Sequence, residues 1–201
     1  MSLTVKLALL VGAYLLGSVP FGVVLTRLFT GKDVRTVGSG NIGASNVTRA
    51  AGKAAGVLTL VLDAAKASVP MLATRAFLAD EGDGALTWAT LVGVAAFVGH
   101  IYPVWLGFKG GKGVATALGV YMVLSPWPSL LALVVFGAVV GLTRVPALGS
   151  LAGTAVITVG TFISYGGSSF VSWAALAVAL VIVLRHRANI ERLVKGAEHK
   201  V

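Results

Sequence analysis

Apolar stretches close to bilayer length fill most of this chain, and they restrict its backbone to one kind of structure. About 20 apolar residues cross the hydrocarbon core as an α-helix. A backbone without water around it must satisfy its N–H and C=O groups internally. Seven such segments are read, at 3–28, 53–78, 86–106, 114–124, 128–142, 145–164 and 170–184. Only 11% of residues are charged, against roughly 25% in soluble domains. The expected fold class is an all-α integral membrane protein with about seven transmembrane helices, residues 1–201 forming a single polytopic domain. The run after Lys6 is too long for a bare signal-peptide core. Segment 114–124 is short for a full crossing and is followed by Ser125-Pro126-Trp127-Pro128, which interrupts helix. Five full spans plus a re-entrant pair is the alternative count.

Charge placement orients this layout. Arg27, Lys32, Arg35, Arg49 and Lys53 fall in the first connection, and Asp80, Glu81 and Asp83 in the second. Lys109 and Lys112 occupy the third, Arg144 the fifth, and Arg185, Arg187, Arg192, Lys195 and Lys200 follow the last span. Positive residues on alternate connections assign those connections to the cytoplasm. The N-terminus is then outside and the C-terminus cytoplasmic, as in a multi-pass protein of the bacterial inner membrane. The net charge of +9 lies beside apolar segments, where it addresses anionic lipid headgroups. No nucleic-acid-binding motif accompanies it, so a nucleic-acid partner is not expected. With no cysteine, disulfides, thiolate nucleophiles and cysteine-ligated metals are excluded. No His/Asp/Glu cluster has metal-ligand spacing, and neither metal nor other cofactor is expected.

Three glycine-rich polar islands end hydrophobic stretches: GSGNIGASNVTR (38–49), GHIYPVWLGFKGGKGVAT (99–116) and HRANIERLVKGAE (186–198). The charge assignment puts all three on the cytoplasmic side, which argues for one site for a phosphate-bearing ligand. Lys109-Gly110-Gly111-Lys112-Gly113 is an anion cradle by composition. Glycine lets backbone N–H groups approach an anion, two lysines add charge, and a helix beginning near Val114 would add its N-terminal dipole. It is not a Walker A loop, because Gly113 stands where Ser or Thr would hold magnesium. The bland alternative is a flexible turn with topology-setting lysines.

The first island offers Ser39, Asn41, Ser45, Asn46, Thr48 and Arg49, and Arg49 can grip phosphate bidentately. Part of it fits a helix cap instead, at Ser45 or Asn46. In the third, His186 and Asn189 share a helix face at i+3, the alternative being a basic juxtamembrane anchor. His186 and Glu191 give HxxxxE, a poor match to the HxxxxD of soluble-face lipid acyltransferases. Within the spans, Asp63 and Lys66 at i+3 suggest an ion pair bracing the site, and His100 a packing or hydrogen-bonding residue.

In this order and spacing, the three islands resemble the motifs of the bacterial membrane glycerol-3-phosphate acyltransferases of the PlsY type, over the whole chain. The resemblance implies acyl transfer from acyl phosphate to glycerol 3-phosphate, giving lysophosphatidate and inorganic phosphate, with a cytoplasmic-side site. It implies that Ser39, Arg49, His186 and Asn189 are essential, that Lys112, Gly110, Gly111 and Gly113 form the glycerol-phosphate site, and that Glu198 supports the third motif. Asn41, Asn46 and Lys109 are expected to join substrate binding. Acyl phosphate is an activated mixed anhydride, so no covalent intermediate is required, and positioning supplies much of the rate. His186 or His100 is a candidate base; a substrate phosphate oxygen is favoured, because neither histidine has an evident carboxylate partner. A transporter would need polar residues through the full membrane depth, whereas here they concentrate at one end. A non-catalytic lipid-binding scaffold would not need the dense neutral polar groups of the first island. A chain this small is compatible with a monomer.

Overall fold

The computed structural model describes residues 2–200, and the described chain is helical throughout apart from short connections. It comprises two compact units, residues 1–123 and 124–201.

In the first unit the opening apolar run is not one helix. α1 (Leu3–Gly17) ends at Ser18, and α2 (Phe21–Thr30) starts after Pro20. Proline has no N–H and clashes with the preceding turn, so the ladder breaks there. Together the two pieces form a 28-residue candidate span, Leu3–Thr30. α3 (Ala44–Phe77) runs for 34 residues but carries a non-helical Gly52 at φ 87°, ψ 171°. Only glycine adopts that geometry freely, so the segment 44–51 is a separate short helix ahead of the span. The sequence reading began this span at Lys53 and left Arg49 in a loop; the structure places Arg49 on that short helix.

α4 (Asp83–Ile101) packs on α1 and α3. A Cβ on Gly17 would run into the backbone of Ala96, and one on Gly99 into the backbone around Tyr14 and Ser18. Small residues let membrane helices meet this closely. At the other end of α1, Lys6 bonds Glu81 and lies 5.4 Å from the Trp88 ring centroid. α5 (Val114–Leu124) has 11 residues, about 16 Å at 1.5 Å per residue, roughly half the hydrocarbon thickness.

In the second unit α6 (Pro126–Thr143) packs on α7 (Pro146–Tyr165), and α7 on α8 (Phe170–Arg185). Both α6 and α7 carry proline in their first turn, where its missing N–H costs nothing. α6 therefore begins at Pro126, two residues ahead of the sequence reading. α9 (Arg187–Val194) continues α8 after a 58° bend at His186.

All seven expected apolar segments are helical, but they are not equal. Among the described residues five candidates are long and apolar enough to cross a membrane, and α8 with α9 makes a bent sixth.

Candidate active site

The first island is built around one amide. Asp33 opens the approach: its carboxylate accepts from the Arg35 backbone N–H and guanidinium and from Arg27, at 2.7–3.0 Å. The Arg35 hydrogen bonds, with Arg27 behind them, hold the Asp33 carboxyl well below the usual carboxylate range. A 3-10 turn, Val34–Thr36, follows, with Val34 fully buried.

Asn46 then gathers the chain that carries Ser39. Its Oδ1 accepts from the Ser39 N–H at 3.0 Å. Its Nδ2 donates to the carbonyls of Val34, Val37 and Asn41 at 3.1, 2.9 and 2.9 Å. The side chain is 2% exposed, and two amide protons serve three acceptors, so no donor remains for a ligand. Asn46, expected among the substrate ligands, is the organiser of the loop. Neither Asn46 nor Ser45 caps the helix: the N-cap is Gly43, with no side-chain hydrogen bond. Gly38, at φ 54°, passes so close to the Asn46 Oδ1 that a side chain would not fit.

Ser39 and Arg49 are both exposed. The Arg49 Cδ lies 3.8 Å from the point where a Cβ on Gly38 would stand, which brings its stem beside the residue next to Ser39. Among the described residues neither the Ser39 hydroxyl nor the Arg49 guanidinium has a partner. Asn41 accepts from the Gly43 N–H at 2.9 Å through Oδ1, leaving its amide N–H groups unpaired among the described residues.

Beneath this loop lies an apolar cluster of Val23, Val34, Ile42, Val47 and Ala55, and Leu106 packs on it from the second island. The first two islands thus share a floor.

The second island leaves α4 through the 3-10 turn Val104–Leu106 and reverses at Gly107 and Phe108, φ 58° and 63°. The Gly110 and Gly111 N–H groups donate to the Ile101 and His100 carbonyls at 3.2 and 3.1 Å. They satisfy the end of α4, where helix carbonyls lack partners. This corrects the expected nest: these two glycines give close approach and not anion donors. The first ladder bond of α5 is Ala117 N–H to the Gly113 carbonyl, 2.8 Å, and the N–H groups of a helix's first turn have no partner within the helix. Lys109 is exposed and Lys112 half-buried.

Under the glycine loop, α3 and α4 bury a polar cluster. Lys66 Nζ lies 2.7 Å from Asp63 Oδ1, 2.9 Å from His100 Nδ1 and 3.1 Å from the Val19 carbonyl. His100 Nδ1 and Asp63 Oδ1 are 3.6 Å apart. The expected Asp63–Lys66 ion pair is present, and two further partners join it. The Val19 carbonyl was missed because it is backbone; the clue was Pro20, which breaks the helical ladder at this point.

In the second unit His186 stands at the α8–α9 bend, 1% exposed, with Nδ1 2.8 Å from the Ile182 carbonyl. A proton on Nδ1 satisfies that carbonyl and puts the ring's lone pair on Nε2. Gly196, at φ 64°, turns the chain back, and Glu198 bridges Asn189 and Arg192 at 2.6 and 2.8 Å. The carboxylate serving Asn189 is therefore Glu198, while Glu191 is exposed. Among the described residues no group of His, Asp and Glu could hold a metal ion.

The sequence profile of the glycerol-3-phosphate acyltransferase family matches residues 7–196. A glycerol-3-phosphate acyltransferase of Anaeromyxobacter sp. (strain K) is 62% identical over 195 residues, covering 96% of both chains. The Myxococcus xanthus (strain DK1622) protein of the same name is 48% identical over 193 residues, covering 96% of this chain and 98% of its own. The crystal structure of PlsY (YgiH), an integral membrane glycerol 3-phosphate acyltransferase, in its glycerol 3-phosphate form, superposes with a TM-score of 0.88 at 42% identity, over 98% of this chain and 95% of that one. Its lysophosphatidic acid form gives a TM-score of 0.85 at 40% identity, over 97% and 94%.

Proposed function

This chain belongs to the PlsY family of glycerol-3-phosphate acyltransferases, multi-pass membrane enzymes of phospholipid synthesis, and from that membership we propose that it moves a fatty acyl group from acyl phosphate to the sn-1 hydroxyl of glycerol 3-phosphate. The observation that carries this reading is the exposed pair of Ser39, on a loop that Asn46 holds in place, and Arg49, on the short helix beside it, neither side chain having a partner among the described residues. A hydroxyl and a guanidinium so presented fit a phosphate-bearing polyol.

The acceptor oxygen attacks the acyl carbonyl, the bond from that carbon to the phosphate oxygen breaks, and inorganic phosphate leaves. The hydroxyl proton passes to a phosphate oxygen of a bound substrate. No covalent enzyme intermediate forms. Ser39, Arg49, His186 and Asn189 contact the reacting groups, with His186 donating or accepting through Nε2. Asn41, Lys109, Lys112 and the first turn of α5 bind glycerol 3-phosphate, and Gly110, Gly111 and Gly113 shape that loop. Asn46 positions Ser39. Glu198 holds Asn189, and Asp63, Lys66 and His100 support the site from inside the membrane. Positive charge here meets the crowded phosphates and the departing one, where preorganised donors act most strongly.

The chain is taken as one polytopic domain acting as a monomer in the bacterial cytoplasmic membrane. The proposed layout has about seven transmembrane helices, with α5 the short one, the N-terminus outside, and the C-terminus and active site cytoplasmic. Alternation of the positive connections supports this orientation.

The test is acyl transfer by purified protein in lipid, with palmitoyl phosphate and labelled glycerol 3-phosphate, palmitoyl-CoA as a parallel donor and Ser39→Ala as control. Lysophosphatidate from acyl phosphate alone, lost in the control, is the expected result. Product from the thioester overturns the donor assignment. No product from either donor overturns the reaction.

A further inference from the structure

Four groups meet inside the first unit where a membrane protein has most reason to avoid charge: Asp63 and Lys66 on α3, His100 on α4 and the Val19 carbonyl at the break between α1 and α2. The side chains of Lys66 and Asp63 are 1% and 2% exposed. An ammonium has three protons, and the three acceptors around Lys66 Nζ, at 2.7, 2.9 and 3.1 Å, take one each. With Lys66 donating, His100 Nδ1 accepts, and the ring of a neutral His100 carries its proton on Nε2.

That ring faces the glycine loop. A Cβ placed on Gly111 would collide with His100 at Nε2, Cε1 and Cδ2, and one on Gly110 would collide with the His100 carbonyl. The same loop is bonded to α4 through Gly111 N–H to the His100 carbonyl, 3.1 Å. His100 therefore touches the loop with both its ring and its backbone, while Lys66 fixes the ring from below.

We propose that Asp63, Lys66 and His100, with the Val19 carbonyl, are positioning residues that set the affinity of the glycine loop for the phosphate of glycerol 3-phosphate. The proposal rests on the reading of that loop as the acceptor's phosphate site. The loop's last residues lead directly into α5, so a shift of Gly111 moves Lys112 and the N-terminal turn beyond it. The cluster touches no substrate itself. Losing it weakens acceptor binding and leaves the donor's KM alone.

Two variants separate its parts. His100→Asn keeps a carbonyl oxygen able to accept from Lys66 and removes the ring under Gly111. Asp63→Asn combined with Lys66→Met removes both charges together, so no lone charge stays buried. Binding of labelled glycerol 3-phosphate is measured by equilibrium dialysis on the full chain in nanodiscs, beside KM for palmitoyl phosphate and thermal unfolding. Each variant is expected to raise the Kd for glycerol 3-phosphate at least about tenfold, within the roughly hundredfold that a 1 Å misplacement costs. The donor KM stays at the wild-type value. Each combined with Gly111→Ala is expected to bind little worse than Gly111→Ala alone, because all act through one loop displacement.

An unchanged Kd in folded His100→Asn overturns the proposal. So do equal rises for donor and acceptor, or effects that multiply fully with Gly111→Ala. If the double variant does not fold, His100→Asn decides alone. Failure of acyl transfer with either donor overturns the proposed reaction while this binding test stands; failure of the wild type to bind glycerol 3-phosphate overturns both.

Discussion

Replacing Asn46 with alanine tests how Ser39 is held. The amide makes one acceptor bond and, having two protons, the equivalent of two donor bonds shared among three carbonyls. At about 1 kcal/mol net per hydrogen bond, the loss is about 3 kcal/mol. The damage should be local, since all four partners lie in residues 34–41 and the span beyond Gly52 is a separate helix. Asn46→Asp sharpens the test. It keeps an acceptor for the Ser39 N–H but faces three carbonyl oxygens with a carboxylate, so the near-isosteric change should be at least as harmful as alanine. Both variants are expected to lower kcat/KM by about a hundredfold, the order for a positioned group displaced by 1 Å. Amide hydrogen exchange over 34–43 should rise while exchange in α4 stays as in the wild type. Tryptophan fluorescence follows unfolding, the chain having four tryptophans and no cysteine for thiol dyes. Wild-type kcat/KM in Asn46→Ala, with unchanged exchange over 34–43, would refute the reasoning. An Asn46→Asp protein markedly better than the alanine variant would point to a ligand contact instead.

The remaining predictions concern other parts of the site. The Asp33 carboxyl is held low by Arg35 and Arg27, so its contribution to loop order is complete above the unfolded carboxyl's value of about 4. That contribution is lost as pH falls below it. Asp33→Asn should abolish this acid-dependent part of the exchange over 34–43, and since the pair sits at the surface the effect should stay within about 1 kcal/mol and shrink with salt. Glu198→Ala frees both Asn189 and Arg192 and should reduce kcat by more than tenfold, on the order of a lost positioning contact, whereas Glu198→Gln can still accept from Asn189 and should retain more activity; equal losses would show that the Asn189 bond is not what matters. Thr116 has a fully buried hydroxyl with no hydrogen bond among the described residues, so Thr116→Val should not lower thermal stability, removing an unsatisfied group at a gain of up to roughly 1 kcal/mol. A clear drop in its melting temperature would reveal a partner for that hydroxyl.

Apolar length made the helices legible, because period and length suffice when the solvent is lipid. Breaks were harder. Pro20 stood in plain sight, but nothing local says whether a proline in a span kinks the helix or ends it. Gly52 carries no mark distinguishing it from the helical Gly56, so the short helix bearing Arg49 was read as loop. The motifs gave the polar residues but not their division of labour. Asn46 and Asn41 are alike in sequence, and only burial shows that one amide holds the loop while the other keeps its N–H groups available. Gly110 and Gly111 were read as letting an anion approach the backbone, whereas the groups that come close are the end of α4 and the His100 ring. A pattern of residue types specifies which groups can come near, and the fold decides which of them are already occupied.

The broken first span and the buried lysine belong to one design. A charged lysine inside a membrane helix is costly unless each proton finds an acceptor. Asp63, one turn away, supplies charge and one acceptor, and His100 supplies a second. In an unbroken α1 the Val19 carbonyl would accept from Val23 one turn on; at the break the Val23 N–H instead bonds the Pro20 carbonyl, and the Val19 carbonyl accepts the Phe21 N–H at 3.1 Å together with the third proton of Lys66. Pro20→Ala should therefore act on Lys66 and not only on helix shape. A straightened span competes for the Val19 carbonyl and leaves the ammonium one acceptor short in a dry place. The break in α1, a feature of the chain's first twenty residues, is thus tied through one side chain to the loop that begins beyond His100.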